Sequence, residues 1–152
     1  MAEDKLDKIC GAVVEIAGLV VDARLTVDGS PATEPPMLPA VYVEWLYTEP
    51  TSSAYGVKAG MALNQSGKQR VHYGRLVILT HATTQSEFAT SEVRPIAQKL
   101  MSAFERDSTL QDVEGVTVAN RCDLTKVEPE AIQWGETIYF GVAADWQAME
   151  LL

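Results

Sequence analysis

The chain has 152 residues, an apolar share of 47%, a mean hydropathy of -0.01 and a formal net charge of -9. That length suits one domain with a single core, and no apolar run reaches the ~18 residues that a spanning helix needs. So acidic a balance excludes general phosphate neutralisation as a way of holding nucleic acid.

The opening residues Met1-Ala2-Glu3-Asp4-Lys5 are mixed in charge. They lack the basic start and apolar stretch of a signal peptide, so export is not expected. Cys10 and Cys122 lie far apart without metal-type spacing. They are read as buried thiols rather than a disulfide. The charge is uneven along the chain. Residues 51–104 carry six bases against two acids, whereas residues 105–152 carry ten acids against three bases. Accident on a solvated surface explains this, or else the basic middle of one copy meets the acidic end of the next.

A first helix is expected from about Glu3 to Ala17. Leu6, Ile9, Cys10, Val13, Val14 and Ala17 recur at helical spacing and make one apolar face. Gly18 is the expected stop. Leu19–Val27 is apolar and β-branched, which suits a short extra strand. Four of the seven prolines then lie between Pro31 and Pro39, an extended connector that can join neither a ladder nor a helix interior.

Ala40–Tyr47 alternates as a strand, with Val41, Val43, Trp45 and Tyr47 on one side. Trp45 is expected in the core. The polar stretch Glu49–Lys68 exceeds the about 12–15 residues of ordinary loops. Tyr55, Val57, Met61 and Leu63 alternate weakly within it. It is either an arm that orders against a partner or a loose loop. Arg70–His81 alternates again and is apolar on both faces in its second half, as a central strand should be.

A second helix is expected over Glu92–Asp107, capped by Thr90 or Ser91, with Pro95 in its first turn. Val93, Ile96, Ala97, Leu100, Met101 and Phe104 form its apolar face. Two last strands follow, Val113–Val127 and Ile132–Ala144, and the connector Glu128-Pro129-Glu130 with Gly135 further on suits a loose hairpin. Trp146, Met149, Leu151 and Leu152 close the chain as an apolar tail, docked on the protein's own sheet or on a neighbour. The fold class expected is therefore α+β. The main elements run in the order α-β-β-α-β-β, with the long loop between the first two main strands.

No catalytic set stands out. His72 and His81 are nine residues apart on one strand, so their rings point to opposite faces unless a bulge intervenes. Each is expected as a cross-strand surface residue. Gly60 to Gly67-Lys68-Gln69 has the wrong spacing for a phosphate loop and leads into a strand. No nucleophile elbow occurs. Glu128 and Glu130 in a proline-containing turn are expected to be solvated, without the dry pocket that tunes a general acid.

The run Leu100-Met101-Ser102-Ala103-Phe104-Glu105-Arg106-Asp107-Ser108-Thr109-Leu110 is a helix passing into a D-x-x-L turn before two long strands. Together with the Val71–Thr80 strand and the closing Ile138-Tyr139-Phe140-Gly141-Val142 strand, it resembles the tail terminator and tail-completion proteins of long-tailed bacteriophages. The resemblance spans Leu6 to Ala144. The Pro31–Pro39 segment and the Leu19–Val27 run have no counterpart in it. It implies an α+β fold with a four-stranded, mainly antiparallel sheet and helices packed on one face, and a structural virion protein at the head-proximal end of the tail, not an enzyme, with no cofactor. It implies a homohexameric ring that caps the tail tube protein, stops tube polymerisation and faces the head connector. DNA would pass through without specific binding, since an acidic bore repels phosphates. A head–tail joining (neck) protein of the same fold is the alternative, and a small enzyme or a monomeric binding module the more distant ones. Candidate contact residues are Tyr55, Lys58, Met61, Lys68 and Arg70 in and beside the long loop, with Trp134 and Trp146 near the end.

Overall fold

The computed structural model describes residues 5–29, 37–51, 69–83, 93–106, 109–111 and 114–151. Helix α1 spans Lys5–Val21 and is followed by strand β1 (Leu25–Asp28), β2 (Ala40–Thr51) and β3 (Gln69–Thr83). Helix α2 (Arg94–Arg106), β4 (Leu110–Gln111), β5 (Thr117–Ala119), β6 (Arg121–Trp134) and β7 (Thr137–Leu151) complete the order. The main sheet has five strands in the order β1-β2-β3-β7-β6, and β4 pairs with β5 in a separate ribbon. All neighbours in the main sheet are antiparallel except β1 and β2. The expected four-stranded sheet thus gains a parallel edge strand. β1 extends its hold on β2 through Arg24 N–H to Pro39 O (2.8 Å) and Gly29 N–H to Val43 O (2.6 Å).

α1 runs past Gly18 to Val21 and stops where Asp22 takes a left-handed φ of 55°, with Ala23 N–H closing on Gly18 O at 2.9 Å. Gly18 does not end the helix, because the apolar period continues through Val20 and Val21. Ile9, Cys10, Ala12, Val13 and Ala17 are buried. α2 places Leu100 and Phe104 beside them, with Val93 just ahead of its first turn. Against these helices the sheet turns Val41, Val43, Leu76, Ile78, Phe140, Val142, Ala144, Trp146 and Ala148. Both helices therefore serve one face. Ala40, Tyr42, Val77, Leu79 and Ala143 form a smaller apolar cluster on the other face. β3 sits between β2 and β7, central as its two apolar faces foretold.

The last hairpin closes at the later end of the expected connector. Its turn lies at Gly135 (φ 59°), where Trp134 pairs with Thr137. Glu128-Pro129-Glu130 is inside β6, not in a turn. Proline is tolerated there because β6 is the sheet edge, where an N–H need not join a ladder. The apolar closing segment is likewise strand: β7 runs to Leu151.

Two glycines in the central pair admit close approach. A Cβ at Gly74 would collide with the Trp146 ring and the Glu44 carbonyl, and one at Gly141 with the Ile78 carbonyl.

Candidate assembly surface

The β2–β3 pair carries a register shift between Trp45 and Tyr47. Trp45 faces Gly74 and Tyr47 faces Tyr73, so Leu46 is the extra residue of a bulge. The bulge breaks the alternation that would have buried this segment. Trp45, Leu46 and Tyr47 are exposed by 48, 51 and 50%. Trp45 is therefore a surface residue rather than core. Trp45 keeps to the helix face with Thr48 and His72, while Tyr47 shares the other face with Tyr73, so large apolar side chains stand half-exposed on both faces of this end of β2.

Both side chains are held in place. Tyr47 stacks on Tyr73 with ring centroids 4.6 Å apart and planes 18° apart. Trp45 Nε1–H donates to Thr48 Oγ1 at 2.9 Å, and Thr48 Oγ1 lies 2.8 Å from His72 Nδ1. His72 Nε2 lies 3.0 Å from Glu150 Oε1. A carboxylate only accepts, so in the neutral ring Nε2 carries the proton and Nδ1 accepts from the threonine hydroxyl. Glu150 is buried, and Lys5 Nζ reaches its other oxygen at 3.2 Å while Arg70 stands 3.8 Å away. One hydrogen-bonded chain thus runs from the exposed indole to a buried carboxylate.

His72 is buried, contrary to its expected surface place, because it turns toward α1 with Glu150. His81 stacks on Phe140 at 5.0 Å, and a register shift between Leu79 and His81 brings it to the helix face also. The bulge exception thus applies to the pair.

On the face away from the helices, Arg75 gathers three acids. Its guanidinium donates to Asp145 (2.9 Å), Glu128 (3.0 Å) and Glu130 (3.2 Å). Glu128 and Glu130 are ion-paired strand residues, not the free carboxylates of a turn, because alternation along β6 aims both at this face. The Arg75 hydrogen bond, helped by Lys126, holds the Glu128 carboxyl below its usual range. The same bonds raise the Arg75 pKa against the opposing effect of burial. Burial, with Asp123 beside it, pushes the Cys122 thiol up to about 12. Both cysteines are free and buried.

Of the residues expected at contacts, Tyr55, Lys58, Met61 and Lys68 lie outside the described residues, as does most of the long loop. Arg70 is exposed on β3, on the same face as His72, and stands 3.8 Å from Glu150. Trp134 closes β6 at the far hairpin. Trp146 is 1% exposed and packs over Gly74, so its ring faces the subunit's own core instead of a partner. Sequence reasoning missed Tyr47 as a surface group. The unbroken apolar triplet at 45–47 was the available signal. Among the described residues no His, Cys, Asp and Glu group could hold a metal, and no helix is long and apolar enough to cross a membrane.

No protein-family model matches the sequence, and no curated protein matches it. Among solved structures the chain is similar to one from the virion of a native gene transfer agent particle. That likeness has 11% identity and a TM-score of 0.49, over 99% of this chain and 100% of the other. A second solved chain, known only by a sequence label, is similar at 10% identity and a TM-score of 0.48, over 97% of this chain and 96% of its own.

Proposed function

We propose that this chain is a structural subunit of a phage-like virion, a tail terminator that closes the tail tube as a hexameric ring and presents a face to the head connector. The half-exposed Trp45-Leu46-Tyr47 triplet carries this reading. It puts anchored aromatic side chains on both faces of the sheet at the root of the long loop, where the resemblance to tail terminators puts a contact arm. An α+β sheet with both helices on one face agrees with the same resemblance. The subunit's role is assembly, and its acidic balance disfavours lasting contact with DNA in the bore.

Light scattering on a sizing column, followed by incubation with tail tubes that lack a cap, tests the proposal. Rings, or capping of tube ends by protein that is monomeric alone, are the expected results. Deleting 52–67 should leave the subunit folded, because loop length changes closure entropy little, and should weaken capping. Failure to bind tubes in any state overturns the tail terminator. Binding to head connectors alone would make it a neck protein.

A further inference from the structure

The helices leave an open groove of about 450 Å³ between them. Ile16, Leu19 and Val20 line it from α1, and Lys99, Ala103 and Arg106 from α2. Leu19 is 79% exposed, so an apolar side chain stands at the groove without cover. Lys99 and Arg106 are exposed and make no ion pair among the described residues. The groove therefore offers apolar contact with two cations beside it. It fits an apolar side chain next to a carboxylate.

The same chain carries such a group. Between β4 and β5, Glu114, Gly115 (φ 80°) and Val116 form an exposed turn, and Val116 is 56% exposed. The ribbon is anchored near the N-terminal end of α1. Asn120 N–H bonds to Met149 O at 2.8 Å, next to the Glu150 that Lys5 reaches. The groove begins at Ile16, about 16 Å further along the helix at 1.5 Å per residue. In the subunit itself the turn does not line the groove. Two different, complementary patches on one chain are what a head-to-tail contact requires.

We propose that the Glu114–Val116 turn of one copy seats in the α1–α2 groove of the next, with Val116 against Leu19 and Glu114 between Lys99 and Arg106. The contact rests on the assembly reading above and names the surfaces for it. It also gives the basic middle and the acidic end of the sequence a specific meeting point. Lys99 belongs to the first and Glu114 to the second.

Leu19→Cys and Val116→Cys, made separately and mixed, test the contact with a short bismaleimide. Both sites are exposed, and Cys10 and Cys122 are buried, so background labelling is low. Covalent dimer should form in the mixture and not with either variant alone. The Lys99→Glu, Arg106→Glu pair should weaken association at least about tenfold, the equivalent of ~1.4 kcal/mol. Glu114→Lys in the partner copy should recover part of it. A mixture that yields no cross-linked dimer, either free in solution or on tube ends, overturns the contact. Tube capping without the mixed cross-link would leave the tail terminator standing and remove this contact. The cross-link without tube binding would do the reverse.

Discussion

Strands β3 and β7 carry two charged clusters on opposite faces, built as opposites in sign. On one face Arg75 is shared by Asp145, Glu128 and Glu130; on the other Glu150 is shared by His72, Lys5 and Arg70. Each includes a cross-strand pair in register, Arg75 with Asp145 and Arg70 with Glu150. Water separates them: the Arg75 side chain is 27% exposed and that of Glu150 only 2%. An exposed hub is screened by salt and contributes little. A buried carboxylate has lost its hydration and depends on every partner it retains. The first cluster ties together strands that are already paired. The second fixes where α1, β2 and an exposed tryptophan stand.

Leu100→Ala sets the scale, since it removes core side chain beneath both helices and touches neither cluster. It should cost roughly 2–5 kcal/mol in chemical denaturation; a smaller loss would mean that α2 can settle onto the sheet without it. Glu150→Ala should come next, at about 2–3 kcal/mol, because the His72 N–H is left buried without an acceptor. Its effect should persist at high salt, and Trp45 fluorescence should shift as the hydrogen-bonded chain loosens. Loss of the effect at 1 M salt (a Debye length of about 3 Å) would show that water reaches this cluster. Gly74→Ala should cost about 1–3 kcal/mol by pushing Trp146 off β3, with near-ultraviolet dichroism as the readout. Arg75→Ala should be mildest, about 1 kcal/mol at low salt and less at high salt.

The Arg75 variant also has a pH signature. Arg75 lowers the folded-state pKa of Glu128, so the stabilisation is present above the ordinary glutamate value of 4.5 and fades as pH falls through the depressed folded value. Wild type and Arg75→Ala should therefore converge in stability as the solution is acidified below that range. A gap that stays constant would mean that Arg75 acts through packing alone.

The sequence revealed most where its period was regular. The apolar faces of both helices and the two-sided burial of β3 followed from spacing alone. Irregularity hid the rest. The bulge at Leu46 turned Tyr47 to the other face, so alternation counted from Val41 misplaced the end of β2. Pro129 looked like a turn because edge position, which makes it tolerable in β6, is a property of the finished sheet. The alternation Phe140, Val142, Ala144, Trp146, Ala148 did continue through the supposed tail and was there to be followed. The link between His72 and Glu150 was not, for the two are 78 residues apart and no local pattern relates them.

The sheet's central pairing has a consequence for synthesis. β3 is complete by residue 83, yet its main neighbour begins at Thr137 and pairs through Leu151. During translation the middle of this protein must wait, one edge open, until β7 has left the ribosome. A nascent chain can form α1 and the β2–β3 pair early, but it lacks β7 and with it Glu150. Trp45 therefore gains the buried end of its hydrogen-bonded chain only once Glu150 has been made.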